Sequence, residues 1–167
     1  MVMENKKTKK AGTIFIAVLV VLLVAFVGVR NFVVDWYTVS GGSMSPTYHD
    51  GQVVFGKKIG NANRFDVVIL EGETLVGEEL IIKRVIAFEG EDVWTENGVL
   101  FICSDGVVSS YPNEEYGNGK VGLVPKQIKR QTVPQGCIYV LGDNRQDSID
   151  SRVFGAVPVD MIEAIVF

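Results

Sequence analysis

Leu80-Ile81-Ile82-Lys83-Arg84-Val85-Ile86-Ala87-Phe88 is the stretch on which the fold turns. Strand alternation places Ile81, Lys83 and Val85 on one face and Ile82, Arg84 and Ile86 on the other. Both faces are apolar, so the segment reads as a strand covered on two sides, at the centre of a sheet. Lys83 then points at an apolar surface or the floor of a cleft. Burial there disfavours the charged amine and lowers its pKa, and a neutral amine can act as a base. The plainer account is a snorkelling lysine, or one paired with a buried carboxylate.

Short runs rich in Val, Ile and Phe lie on either side: Gln52–Phe55, Asp66–Leu70, Asp92–Thr95, Val99–Cys103, Ile138–Leu141 and Ile162–Phe167. Gly, Asn, Asp or Pro separates them, as expected of strands and turns. Pro125–Arg130 fits one short helical turn. Ser104–Val124, with Tyr111-Pro112-Asn113 and Gly117-Asn118-Gly119, reads as an exposed excursion or a β-ribbon insertion. There are no repeats and no low-complexity tracts. The expected fold is mostly β, barrel-like or two packed antiparallel sheets, with one N-terminal transmembrane helix.

That helix is read from Ala11 to Val29, nineteen uncharged residues between Lys10 and Arg30. As a helix the run spans roughly 28 Å, close to the thickness of a bilayer's hydrocarbon core. It is longer than a usual signal-peptide core, and Val27-Gly28-Val29-Arg30 is a poor cleavage site, so the expectation is an uncleaved anchor. Lys6, Lys7, Lys9 and Lys10 keep the start on the cytoplasmic side. The organisation expected is a cytoplasmic basic tail (1–10), a transmembrane anchor (11–30) and an extracytoplasmic β-rich domain (31–167). Phe32, Trp36 and Tyr37 fit an aromatic belt at the outer interface.

Residues 1–30 carry net charge +4 and residues 31–167 carry −8. An acidic outer domain argues against nucleic acid as a partner. Cys103 and Cys137 match no metal spacing, and with a single histidine no cluster of soft ligands exists. Outside the cell a disulfide between them is permitted; two buried free thiols are the alternative.

Two further segments bear on chemistry. Gly41-Gly42-Ser43-Met44-Ser45-Pro46-Thr47 sets a serine in a tight bend, with room for a substrate backbone beside the glycines. Gly142-Asp143-Asn144-Arg145-Gln146-Asp147-Ser148-Ile149-Asp150-Ser151-Arg152-Val153-Phe154-Gly155 reads as a loop held by side-chain hydrogen bonds and ion pairs. Each alone is more simply an ordinary polar loop. Together with Lys83 they suggest a serine nucleophile activated by a lysine. His49 is the one imidazole that a Ser-His mechanism could use. A hydroxyl such as Ser148 can accept a hydrogen bond from Lys83 and orient it.

Ser43-Met44-x-Pro46-Thr47, Ile82-Lys83-Arg84-Val85-Ile86 and Gly142-Asp143-Asn144-Arg145-x-x-Ser148-x-Asp150-Ser151-Arg152-x-x-Gly155 resemble the signature boxes of bacterial type I signal peptidases. Their order and the forty-residue step from serine to lysine are similar too, and the resemblance covers nearly the whole chain. One anchor and a small outer domain resemble the short Gram-positive form.

The resemblance implies a membrane-bound serine endopeptidase that cleaves signal peptides from exported preproteins through an acyl-enzyme, with no cofactor. Ser43 would be the nucleophile and Lys83 the general base. Ser148 would orient Lys83, Asp150 with Arg152 would hold the loop, and Asp143 and Arg145 would brace it. The Ser43 N–H would be one oxyanion donor. Val39, Met44 and Ile82 would line a shallow slot for small side chains, giving an Ala-x-Ala preference. The substrate would lie as an extended strand beside the segments before Ser43 and before Lys83. Implied partners are signal peptides, the lipid bilayer and, transiently, the export machinery.

The chain departs from the pattern at three places. Some members carry a serine where Gly41 stands, completing the oxyanion hole; here Ser40 or backbone alone would serve. The usual Gly-Asp reads Phe65-Asp66. The usual Gly-x-Pro-Gly-Asp after the lysine strand reads Ala87-Phe88-Glu89-Gly90-Glu91. The rival readings are a self-cleaving Ser-Lys repressor, which the anchor and acidic body disfavour, a non-catalytic outer binding module, and a peptidase specialised for one pilin or surface protein.

Overall fold

The computed structural model describes residues 4–111, 114–116, 119–121 and 127–167. Helix α1 runs from Glu4 to Phe32. Its nineteen-residue segment Lys10–Gly28 is long and apolar enough to cross a membrane, and none of it is buried against the rest of the chain. A helix apolar all round needs an apolar surround, which a protein core or a bilayer supplies.

The remaining chain forms β1 (Val34–Thr38), β2 (Val53–Lys57), β3 (Val67–Glu71), β4 (Leu80–Phe88), β5 (Asp92–Glu96), β6 (Val99–Ser104), β7 (Val107–Tyr111), β8 (Glu114–Tyr116), β9 (Gly119–Val121), β10 (Gln131–Thr132), β11 (Cys137–Leu141), β12 (Val157–Pro158) and β13 (Ile162–Val166). One-turn helices α2 (Glu73–Val76) and α3 (Ser151–Phe154) interrupt them. A seven-stranded antiparallel sheet has the order β1-β2-β13-β3-β4-β11-β12, and a four-stranded one the order β10-β5-β6-β7. The fold is therefore mostly β with two antiparallel sheets, as the sequence predicts.

β4 lies between β3 and β11, and every residue from Ile81 to Ala87 is buried. Ile81 and Val85 pack with Val68, Leu70, Ile138 and Val140, whereas Ile82 packs with Val39, Met44, Val67 and Ile69. Alternation fails near the end of the strand. The register between β4 and β11 shifts at Tyr139/Val140, so Ile86 and Ala87 both enter the cluster built on Val93, Leu100 and Ile102. A bulge of this kind re-aims successive side chains, and it joins the large sheet's core to the small sheet.

The predicted strands are present with ends moved by one or two residues. β1, β10 and β12 were not anticipated, and β7 falls inside the stretch read as an exposed excursion or a β-ribbon. β1 sits in the aromatic stretch after the helix, and β7 is exposed on four of its five residues, so neither shows an apolar alternation. Within the Ser104–Val124 excursion, β8 and β9 pair as a ribbon. Residues 127–130 are irregular rather than helical, and the rest of the predicted Pro125–Arg130 turn lies outside the described residues. Cys103 and Cys137 are free thiols, half-buried rather than buried.

Both departures at the turns have a structural meaning. Phe65 takes φ +69°, the left-handed region that glycine occupies most easily. It holds that conformation while its N–H donates to Val85 O (2.9 Å), its carbonyl accepts from Arg84 Nη1 (2.7 Å) and its ring meets Tyr111 edge-on. In the second turn, Glu91 accepts the Phe88 N–H (2.8 Å) and a two-armed bond from Arg64 (2.5 and 2.9 Å). Burial works to raise the Glu91 pKa, but the Arg64 and Phe88 bonds outweigh it and leave it lowered.

Candidate active site

The loop between β1 and β2 carries Ser43. Its neck is closed by Val39 N–H to Gln52 O (2.8 Å) and Gly51 N–H to Val39 O (2.9 Å). Gly41 has φ +77°, and its N–H donates to Asp50 Oδ1 (2.8 Å). A side chain at Gly41 would strain that turn. Met44 is wholly buried beneath the loop. A carbonyl bond then ties the loop to the third segment: Asn144 N–H donates to Ser43 O (3.0 Å), and Asn144 Nδ2 donates to Gly42 O (3.1 Å).

Lys83 on β4 is 4% exposed. Its Nζ lies 3.0 Å from Ser43 Oγ and donates to Ile82 O at 2.9 Å. Burial lowers its pKa below the ordinary lysine range, while the charges of Asp150, Glu78 and Asp143 pull the other way without cancelling it. A lysine held so is closer to neutral at physiological pH than an exposed one.

The loop from Gly142 to Gly155 is braced by two buried carboxylates. Asp150 accepts the Gly142 N–H (3.0 Å), the Arg152 N–H (3.2 Å) and both arms of the Arg152 guanidinium (2.7 and 2.6 Å). It is also the N-cap of α3. Arg152 reaches on to Arg145 O (2.5 Å) and Ser148 O (3.4 Å). Arg145 Nε donates to Gly142 O (2.9 Å). Asp143 accepts both arms of Arg84 (2.8 and 2.5 Å) and the Thr47 hydroxyl (2.5 Å). One side chain thus joins the serine loop, the lysine strand and the brace.

Most of the predicted residues converge, and two take other places. Asp150 and Arg152 are paired within the loop. Asp143 braces it through Arg84 and Thr47, partners the sequence did not reveal because they lie 59 and 96 residues away. Ser148 Oγ is buried and makes no hydrogen bond; Lys83 is oriented by the Ile82 carbonyl instead. Ser148 still touches the site, because a Cβ on Gly142 would fall on its hydroxyl and within 2.6 Å of Ser43 O. Met44 supports the slot from below and does not line it.

A cleft of about 130 Å³ opens beside the two groups, walled by Tyr37, Val39, Ser40, Val54, Ile69, Glu78, Leu80 and Ile82 among others. Val39 and Ile82 are in its wall. The Ser43 N–H donates to no described residue, so it is available to an oxyanion. A larger depression of about 510 Å³ lies elsewhere, between Lys57, Phe88, Cys137 and Ile162, and contains neither Ser43 nor Lys83. The smaller cleft is the one with reactive groups. Among the described residues no group of His, Cys, Asp and Glu could hold a metal ion. A hydroxyl at hydrogen-bond distance from a buried amine, on an antiparallel β scaffold beside a cleft, is the arrangement that a serine nucleophile activated by lysine requires.

The family model described as signal peptidase, peptidase S26, matches residues 11–167. Signal peptidase I T of Bacillus subtilis (strain 168) is 37% identical over 162 residues, covering 89% of this chain and 80% of that protein. Signal peptidase I of Bacillus caldolyticus is 32% identical over 172 residues, covering 97% and 90%. The crystal structure of a signal peptidase I from Enterococcus faecalis V583 matches with a TM-score of 0.51 at 27% identity, over 65% of this chain and 99% of that one. The chain belongs to the peptidase S26 family of signal peptidases.

Proposed function

We propose that this chain is a membrane-anchored endopeptidase that removes signal peptides from exported preproteins, with Ser43 as nucleophile and Lys83 as general base. The observation that carries the reading is the 3.0 Å approach of Lys83 Nζ to Ser43 Oγ, made by an amine whose pKa burial has lowered. In its neutral form the amine donates to Ile82 O and presents its lone pair to the Ser43 hydroxyl. It takes that proton as Oγ attacks the scissile carbonyl. The developing oxyanion accepts from the Ser43 N–H. The protonated amine then gives its proton to the departing nitrogen, leaving an ester on Ser43. Water, activated by the same amine, hydrolyses the ester.

Val39 and Ile82, over the buried Met44, form the slot that takes a small side chain before the scissile bond, and Asp143, Arg145, Asp150 and Arg152 keep Asn144 against Ser43 O. The preprotein lies as a strand along the cleft.

The chain is divided as a cytoplasmic tail (1–10), an anchor (11–30) and an extracytoplasmic catalytic domain (31–167). Support comes from the short path between helix and nucleophile, since β1 begins at Val34 directly after α1. Trp36 and Phe55 are cross-strand partners, each about half exposed (50% and 52%), and exposed Phe167 donates its N–H to Phe55 O. Such a stripe suits the bilayer interface. A signal peptide still lodged in the membrane presents its cleavage site at that depth, where export machinery would release it. The test is incubation of the full-length protein in detergent with a preprotein bearing an Ala-x-Ala site, followed by sequencing of the product's new N-terminus. A new N-terminus directly after the second Ala supports the reading; an uncut preprotein contradicts it.

A further inference from the structure

Glu78 is an exposed carboxylate in the wall of the same cleft as Ser43 and Lys83. It stands at the end of the turn joining β3 to β4, where Glu71, Glu73, Glu78 and Glu79 fall within nine residues. None of the four forms an ion pair with a described residue. Leu80, 39% exposed, lies in the wall of the catalytic cleft and also of a second depression of about 330 Å³ bounded by Glu71, Glu73, Glu79 and Glu163. The cleft therefore runs from an apolar slot at Val39 and Ile82 outward to a rim of carboxylates, of which Glu163 is paired with Lys58 (2.7 Å). The field of Glu78 also reaches Lys83, where it opposes the lowering that burial imposes.

We infer that Glu78 is a specificity-determining residue that selects substrates carrying a lysine or arginine on the acyl side of the scissile bond. The inference rests on the function proposed above, in which the slot holds the residue that supplies the acyl carbonyl. Glu78 precedes Lys83 by five positions. At about 3.3 Å per residue, an extended substrate beside β4 brings the side chain about four residues before the scissile bond alongside it. A cation there meets an unpaired carboxylate at a solvent-open rim, where attraction is modest and screened by salt. A glutamate at the same place meets like charge.

The test is cleavage by the full-length protein in detergent of peptides with one Ala-x-Ala site and Lys, Gln or Glu at each of positions three to six before the scissile bond. The expected result at low salt is a kcat/KM about fivefold higher for Lys than for Glu at one of these positions, shrinking as salt is added. Glu78→Gln erases the ratio and Glu78→Lys reverses it, so that the Glu peptide becomes the better substrate. A role in folding alone would change all peptides equally. Equal cleavage of Lys and Glu peptides by the wild type, or a ratio that survives in Glu78→Gln, overturns the inference while leaving the peptidase reading intact. If the wild type cuts none of the peptides, the peptidase reading falls and the inference falls with it.

Discussion

Arg84 and Asp143 form a two-armed ion pair with almost no solvent contact, their side chains 4% and 0% exposed. The pair joins the strand that carries Lys83 to the loop whose next residue, Asn144, donates to Ser43 O. The spacing between nucleophile and amine therefore depends on two residues that need not touch substrate. Asp143→Ala leaves the Arg84 charge buried with its main partner gone, which typically costs about 3–5 kcal/mol. We expect a lower melting temperature by differential scanning calorimetry and at least a tenfold loss in kcat. Unchanged stability would show that the pair does not brace the site.

Gly142 is set against both Ser148 and the Ser43 carbonyl, and an added methyl has no space. Gly142→Ala should displace the serine loop and reduce kcat about 100-fold, the scale expected when reacting groups shift by about 1 Å. Ser148→Ala should cost less, because its hydroxyl makes no hydrogen bond. Steady-state kinetics of the two variants side by side settles the order. A greater loss in Ser148→Ala would mean that the hydroxyl does turn to Lys83 during the reaction.

The lowered pKa of Lys83 fixes the sign of two pH effects. Only the neutral amine can take the Ser43 proton, so kcat/KM should fall as pH falls through the folded-state pKa, and this limb should lie below the ordinary lysine range. For stability, the unfolded chain binds a proton at Lys83 more tightly than the folded one. Between the folded value and the ordinary 10.5, stability therefore rises with pH. Replacing Lys83 with Met should remove that slope and relieve the cost of the buried charge at lower pH. Urea unfolding of both proteins across this window gives the comparison; identical slopes would mean that the amine is not desolvated.

His49 is exposed, and its hydrogen bonds are made by its backbone: the N–H donates to Gln52 Oε1 and the carbonyl accepts from the Gln52 N–H. His49→Ala should keep kcat/KM within about twofold of wild type, in line with ordinary surface substitutions. A large loss in a folded variant would revive an imidazole base.

The centre of the sheet was legible because β4 is apolar on both faces and therefore needs cover on both. Ser43 and Lys83 were legible from motif order, and Asp150 with Arg152 from their closeness in the chain. What could not be read depends on long-range placement. Asp143 pairs with Arg84 rather than serving simply beside Arg145, and Thr47 joins it from the other loop. The lysine's orienting acceptor is a backbone carbonyl, which leaves no mark in a sequence. β7 could be placed no more closely than within the Ser104–Val124 excursion, because an exposed edge strand, Val107–Tyr111, has no buried face to impose alternation. The positive φ at Phe65 was signalled only by the displaced glycine.

The most direct test of the central claim is cleavage of a preprotein with an Ala-x-Ala site by wild type, Ser43→Ala and Lys83→Arg, each confirmed as folded. Guanidinium does not deprotonate in proteins, so arginine keeps the charge and loses the base. The account predicts cleavage by wild type alone. Substantial cleavage by folded Lys83→Arg would contradict it, because some other group would then be taking the Ser43 proton.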